Sequence, residues 1–134
     1  MSEVTEFAGV YDADGGVRGE VTYVIGHMLG RTHCALCDIT HSPVRRKPAW
    51  DAMVATLGLP VRLLHRNELH AERDSALASA IQGEPLALVA AHVDGAWQVA
   101  LTARDLATVG GDIDRFKATL LSRVRERGWV LAGA

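Results

Sequence analysis

The sequence predicts an α/β domain, and three observations support that prediction. The chain has 134 residues, of which 49% are hydrophobic and 22% are charged, a balance that suits one hydrophobic core. Short apolar runs bounded by turn residues alternate with segments of three- and four-residue apolar spacing. The resulting order is strand, helix, loop, helix, strand, helix, strand, strand, helix. We therefore expect a single domain over residues 1–134.

The first predicted strand covers Phe7 to Tyr11 and ends in a turn at Asp12–Gly16, where aspartates and glycines favour a reversal. Apolar residues then recur at helical spacing over 17–30, which predicts a helix that ends near Gly30. The β-branched content of Val21–Ile25 leaves a β-hairpin open as the alternative.

An irregular segment is expected between His33 and Lys47. No periodicity is visible there, and Pro43 and a basic run favour an exposed loop. Both cysteines, Cys34 and Cys37, fall in this loop or at its entry. Two cysteines are too few for the disulfide framework of a small secreted protein.

Three elements are predicted in the middle of the chain. Pro48 in a first turn and Gly58 as a stop mark the ends of a helix. A strand follows from Val61 to His65. Asn67 can cap a further helix over Glu68–Gln82.

A β-hairpin is predicted next. Leu86–Val93 and Ala96–Leu101 flank Asp94–Gly95, a dipeptide that suits a type I′ turn. Two apolar runs of this length around such a turn indicate antiparallel strands.

After the hairpin, a short helix is expected in addition to the last helix of the order given above. Thr102, with Asp105 three residues on, resembles a capping box for a short helix. Gly110–Gly111 ends that helix and Asp112 starts the last one. The core-facing residues of the last helix are Ile113, Phe116, Leu120 and Val124.

This order of elements resembles the thioredoxin-like superfamily, whose members have a mixed four-stranded sheet with helices on both faces. The resemblance is one of topology and covers Phe7 to Arg127. It implies a three-layer α/β domain with a four-stranded sheet. It also implies a cis proline before the hairpin, facing the active site, and Pro85 occupies that position.

The cysteines depart from the pattern of that superfamily. There a redox C-x-x-C opens the helix that follows the first strand, a position held here by Asp12–Gly15. Cys34 and Cys37 come only after the predicted helix over 17–30, which is about 20 Å long. We therefore expect the pair in an inserted loop, at the opposite end of the domain from Pro85. A chain-reversing loop that brings the pair back stays open as the alternative.

The segment from His33 to His41 reads H-C-A-L-C-D-I-T-H and groups metal-binding side chains. Two thiolates separated by two residues can bind one tetrahedral ion, and an imidazole four residues after the second can reach it. We predict Cys34, Cys37 and His41 as ligands, with His33 as the next candidate. Zinc suits mixed sulfur and nitrogen ligands, and copper(I) and iron stay open. Further candidates for a fourth ligand are Asp38, His27, His65, His70 and water.

Two other interpretations of the cysteine pair stay open. In the first, the protein is a thiol-disulfide oxidoreductase in which Cys34 attacks and Cys37 resolves, with His33 or Arg31 favouring a thiolate. In the second, both cysteines are buried packing residues with neither an ion nor exchange chemistry.

Asp12–Ala13–Asp14–Gly15 also resembles the first motif of haloacid-dehalogenase-type phosphatases. In that family one aspartate attacks phosphorus and the second serves as an acid. Thr102 and Asp112 faintly resemble later motifs, but the interval between them leaves no room for the family's lysine motif. Turn formation explains Asp12–Gly15 better.

Charge and hydropathy limit the expected partners. A net charge of -2 offers no concentrated basic surface for nucleic acid or an anionic membrane. No apolar run reaches the roughly 18 residues of a membrane span, and Met1–Phe7 is acidic where a signal peptide is basic. We expect a cytoplasmic protein that binds a metal ion. A homodimer through a sheet edge or a helix face stays open.

Overall fold

The computed structural model describes residues 2–12, 35–40 and 47–132, without the side chains of Ala35, Cys37 and Asp38. Its strands are β1 (Ser2–Val10), β2 (Val61–Leu64), β3 (Leu88–Val93), β4 (Ala96–Leu101) and β5 (Trp129–Leu131). Its helices are α1 (Ala35–Thr40), α2 (Pro48–Leu57), α3 (Ser75–Ala80), α4 (Ala103–Val109) and α5 (Ile113–Glu126). Two 3₁₀ turns, Arg66–His70 and Glu72–Asp74, lie between β2 and α3. The predicted helix over 17–30 lies outside the described residues.

The strands form one mixed sheet, which confirms the α/β class. β1 pairs in parallel with β2 and antiparallel with β3, and β4 pairs antiparallel with β3. The strand order is therefore β2-β1-β3-β4. The sheet has a fifth strand, because β5 pairs in parallel with β1 at Ser2–Val4. The expectation of four strands was wrong, since three residues are too few for periodicity to predict a strand.

Helices cover both faces of this sheet. Alternate side chains of β1 point to opposite faces, so Phe7 and Ala8 belong to different buried clusters. Phe7 lies on the face covered by α1, α2, α4 and α5, and Ala8 lies on the face covered by α3. No helix in the described part of the chain is both long and apolar enough to cross a membrane.

The local signals for both ends of α2, for the hairpin turn and for the start of α5 are confirmed. α2 begins at Pro48 and ends at Gly58, which has the left-handed φ of 73°. The hairpin turn has positive φ at both Asp94 and Gly95, 51° and 85°, as a type I′ turn requires. Asp112 caps α5, with its Oδ1 accepting a hydrogen bond from the backbone N–H of Arg115.

The chain from Glu68 to Gln82 differs from the prediction of one helix capped by Asn67. It forms two 3₁₀ turns followed by α3. The Glu68 carboxylate turns back and accepts a hydrogen bond from the backbone N–H of His65 at 2.9 Å. The first turn is therefore capped at His65 and not at Asn67.

Asp74 separates the second 3₁₀ turn from α3. Its side chain is 2% exposed, and its Oδ1 accepts a hydrogen bond of 2.8 Å from Nη2 of Arg62 on β2. A side chain buried in an ion pair with the sheet fixes the chain at this point. The chain itself bends earlier, at Ala71, whose extended φ and ψ of -65° and 138° separate the two 3₁₀ turns.

The cysteine segment also differs from its prediction as an irregular loop. Residues 35–40 form the helix α1, which includes the backbone of Cys37. Leu36, Ile39 and Thr40 are fully buried, at helical spacings of three and four residues. Three buried positions in six residues are too few to predict a helix from periodicity. The helix is recognised only in the structure, from the packing of these three side chains.

The start of β3 differs from two expectations. The strand begins at Leu88, not at Leu86. Among the described residues, the cis peptide bond joins Leu86 and Ala87, whereas the superfamily resemblance implied one at Pro85.

The capping box of α4 extends into an ion pair with α5. Asp105 Oδ2 accepts hydrogen bonds from the backbone N–H of Thr102 at 2.9 Å and from Nη1 of Arg123 at 3.2 Å. Partial burial raises the pKa of the Asp105 carboxyl, but the hydrogen bonds from Thr102 and Arg123 outweigh it and hold the pKa below its ordinary value. The folded state therefore favours the ionised carboxylate.

We predict that Asp105→Asn lowers the free energy of unfolding by about 1 kcal/mol at neutral pH. A lowered folded-state pKa means that the carboxylate stabilises the fold above its unfolded-state pKa. That contribution is lost as the pH falls below about 4 and through the folded-state value. Urea unfolding of both proteins between pH 7 and pH 3 tests this. The exposed Asp114→Asn is the charge-matched control, and a wild-type advantage over Asp105→Asn that stays constant with pH would contradict the prediction.

Candidate functional site

The helix that includes position 37 lies over the carboxyl end of β1. A Cβ atom built on Gly9 would lie 3.0 Å from Cδ2 of Leu36 on α1 and 3.0 Å from Cδ2 of Leu63 on β2. The Tyr11 hydroxyl is 2.8 Å from Oγ1 of Thr40, in a buried contact. α1 thus packs on β1 and β2 where both strands end. Ligand sites of α/β sheets form at such carboxyl ends.

The position of α1 contradicts the expectation that the cysteine segment lies at the far end from Pro85 and agrees with the alternative that the segment returns to the same end. β3 starts beside the carboxyl end of β1, because Leu88 pairs with Val10. The chain from Pro85 to Leu88 therefore approaches the same end of the sheet as α1. The expectation was wrong because it measured the separation along the predicted helix 17–30 and did not anticipate the packing of α1.

The predicted ligands fall largely outside the described residues. Cys34, His33 and His41 lie outside them, as does the side chain of Cys37. The other fourth-ligand candidates divide in the same way: His27 and the Asp38 side chain lie outside, and His65 and His70 are described. Among residues 2–12, 35–40 and 47–132, no group of three or more His, Cys, Asp or Glu side chains could hold a metal ion.

His65 lies beside the Tyr11 side chain, directly after β2. The two ring centroids are 5.0 Å apart, with the planes tilted by 52°. Because Val10 pairs with Leu64, the next residues of the two strands stand side by side. Tyr11 therefore contacts His65 with its ring and α1 with its hydroxyl.

The Glu68 carboxylate holds His65 in place. Glu68 Oε1 is 2.7 Å from Nδ1 of His65 and 2.9 Å from its backbone nitrogen. Partial burial raises the pKa of the Glu68 carboxyl, but the hydrogen bonds from the His65 backbone and ring outweigh it and lower the pKa below its ordinary value. Glu68 is therefore ionised near neutral pH.

The charge of Glu68 settles the tautomer of His65. An ionised carboxylate only accepts hydrogen bonds, so the Nδ1–H group of His65 must be the donor. In the neutral ring, the free lone pair then lies on Nε2. A lone pair on Nε2, with Nδ1–H bound to a carboxylate, is the usual arrangement of histidine ligands of metals.

The residues of the phosphatase-like interpretation have structural roles. Thr102 and Asp112 cap α4 and α5. Asp12 lies 3.4 Å from Nη1 of Arg66, and Asp14 lies outside the described residues. Helix capping thus explains Thr102 and Asp112.

Three residues that make the contacts described above were not identified from the sequence: Tyr11, Thr40 and Glu68. Glu68 stands three residues after His65, which is the spacing of a capping box, with histidine in place of serine or threonine. That spacing was the one available signal. Tyr11 and Thr40 meet across a long stretch of chain, and no local pattern predicts such a contact.

We predict that Gly9→Ala lowers the free energy of unfolding by about 1–3 kcal/mol, because its methyl group meets the buried side chain of Leu36 and the partly buried side chain of Leu63. Leu36→Val removes the Cδ atoms that the added methyl group would meet on the side of α1. The cost of Gly9→Ala should therefore fall by at least about 0.5 kcal/mol in the Leu36→Val background. Urea unfolding of the double-mutant cycle measures this difference.

Leu77→Val is the matched control for this cycle, because Leu77 packs on the opposite face of the sheet. Gly9→Ala and Leu77→Val should be additive within about 0.5 kcal/mol. An equal cost of Gly9→Ala in the wild-type and Leu36→Val backgrounds would show that α1 does not pack on Gly9.

Comparison with known proteins identified no relative of this chain. No protein-family model, no curated protein and no solved structure matches the chain. The function proposed below therefore depends on the residues and contacts described above.

Proposed function

We propose that the protein binds a metal ion, zinc before copper(I) or iron, through Cys34, Cys37 and His41, with His33 as the next candidate. The supporting observation is α1, which covers residues 35–40. Residues 34, 37 and 41 have the spacing i, i+3 and i+7, and residues so spaced share one side of a helix. α1 covers one of these positions, residue 37, and its helical backbone there agrees with this spacing.

The donor set determines which ion fits. Two thiolates and one imidazole leave a fourth tetrahedral position, and zinc sites combine these atoms routinely. Copper(I) and iron also accept thiolates, so metal analysis must identify the ion. The proposed role is ion binding, either structural or in metal handling, and we assign no catalytic step.

We further propose that the domain is thioredoxin-like. Two features support this relationship: the mixed sheet with helices on both faces, and the antiparallel β3-β4 hairpin beside a parallel β1-β2 pair. The position of α1 at the carboxyl end of β1 also agrees with a C-x-x-C that opens a helix after the first strand.

That agreement favours thiol-disulfide exchange as a second candidate function. The Cys34 thiolate would attack a partner disulfide and form a mixed disulfide, releasing one partner thiolate. Cys37 would then attack the Cys34 sulfur, forming the Cys34–Cys37 disulfide and releasing the second partner thiolate. Two electrons thereby pass from the cysteine pair to the partner.

Metal analysis of protein purified without a metal-affinity tag tests the first proposal. We expect about one zinc ion per chain, retained under reducing agent and absent in Cys34→Ser, because a site that loses a thiolate loses most of its affinity. His41→Ala should also lose the ion. His92→Ala is the matched control and should keep it, because His92 lies on β3 with its Nδ1 3.0 Å from Oγ1 of Thr5.

The same preparation separates the two candidates. A metal-free protein with a Cys34–Cys37 disulfide, which reduces insulin disulfides once dithiothreitol has reduced it to the dithiol, would overturn metal binding and support thiol exchange. A protein with neither metal nor exchange activity would overturn both, leaving the cysteines as packing residues.

A further inference from the structure

The outer edge of β4 has the sequence of a strand that pairs readily with another chain. β4 is the last strand in the order β2-β1-β3-β4, and in the part of the chain that the structure describes no strand pairs with its outer edge. Its six residues read A-W-Q-V-A-L and include neither a charged residue nor a proline. Uncharged segments of this length and β propensity are templates for association when they lie on an open edge. A monomer with such an edge needs a feature that limits pairing there.

A β-bulge interrupts this edge at Ala100. The pairing of β4 with β3 shifts by one residue between Val99 and Leu101, so Ala100 between them has no opposite residue on β3. The extra residue of a bulge is left out of the ladder of hydrogen bonds. The carbonyl oxygen of Ala100 instead accepts a hydrogen bond of 2.6 Å from Nη1 of Arg123 on α5. A helix side chain thus occupies a backbone acceptor that β3 leaves unpaired.

Two carboxylates hold Arg123 in this position. Its Nη1 also donates a hydrogen bond of 3.2 Å to Oδ2 of Asp105, and its Nε donates one of 3.2 Å to Oε2 of Glu126. Three partners fix the planar guanidinium, and the side chain is only 23% exposed. A positively charged group is therefore fixed beside the outermost strand, at the residue where the bulge frees a carbonyl group.

The edge is self-complementary, so a second copy of this chain fits it. Antiparallel pairing of two β4 strands about a twofold axis at Gln98 places Trp97 of each copy opposite Val99 of the other. Both side chains are half-buried in the single chain, and aromatic and β-branched residues form favourable cross-strand pairs. The same register places Ala100 of each copy opposite Ala96 of the other. No side chain of β4 carries a charge that would oppose this pairing.

We propose that Arg123 protects the outer edge of β4 from pairing with a second copy of this chain. In the twofold arrangement, each end of the paired strands contains one Ala100, and each Ala100 carbonyl is bound by the Arg123 of its own chain. One arginine per chain therefore obstructs both ends. A second copy would have to displace a charged group from all three of its partners before the edge could pair along its length.

Sedimentation equilibrium of Arg123→Met tests the proposal, because methionine keeps an unbranched apolar side chain and removes the guanidinium. We expect the wild type to be monomeric and Arg123→Met to self-associate at least about 10-fold more tightly, since a hydrogen bond from a charged donor no longer occupies the edge. Adding Gln98→Lys should return the variant to a monomer, because a charge on an edge strand opposes pairing. Arg125→Met, at an exposed position two residues further along α5, is the matched control and should behave as the wild type.

Three outcomes would overturn the proposal. The first is an Arg123→Met variant that associates no more tightly than the wild type, and the second is an association that Gln98→Lys leaves unchanged. The third is a wild-type dimer that Gln98→Lys dissociates, because the edge would then pair despite Arg123. Urea unfolding checks that each variant folds. If Arg123→Met does not fold, the same comparisons on Arg123→Met with Asp105→Asn decide the question, because that pair of changes leaves no carboxylate without its partner.

Discussion

The rest of the structure depends on the burial of β1. Its backbone pairs with β3 on one edge and with β2 and β5 on the other, and Phe7, Ala8 and Val10 are fully buried. A strand enclosed on both edges and both faces leaves no room for large side chains everywhere. The small residues Ala8 and Gly9 leave space for the elements that cover β1. α1 packs over Gly9, which has no side chain. The helix of the cysteine segment is therefore positioned by the smallest residue of the central strand.

Features of the fold that arise within three or four residues could be predicted from sequence. The capping box of Thr102 and Asp105, the Asp94–Gly95 turn and the Gly58 helix end are examples. Features that arise from packing could not. α1 and β5 are too short for periodicity, and their stability comes from neighbours distant in sequence. No local pattern indicates the extended backbone of Ala71 between the two 3₁₀ turns or the ion pair of Asp74 with Arg62.

The candidate site was predictable to the same extent. The grouping of Cys34, Cys37 and His41 is visible in the sequence, and His65 was one of several candidate ligands. The position of the segment relative to the sheet was predicted wrongly, because it depends on the contact of Leu36 with β1 and β2. The partnership of His65 with Glu68 was also missed. Sequence spacing allows that partnership, but only the 3₁₀ turn brings the two side chains together.

The His65–Glu68 pair bears on the choice between the two candidate functions. The His65 side chain, held by two hydrogen bonds and a ring contact, has little conformational freedom left to lose on binding. Thiol exchange has a different requirement, because it needs an accessible thiolate at Cys34 and no ion bound to it. An imidazole fixed with its Nε2 lone pair free is thus a feature that metal binding uses and that the exchange steps leave without a role.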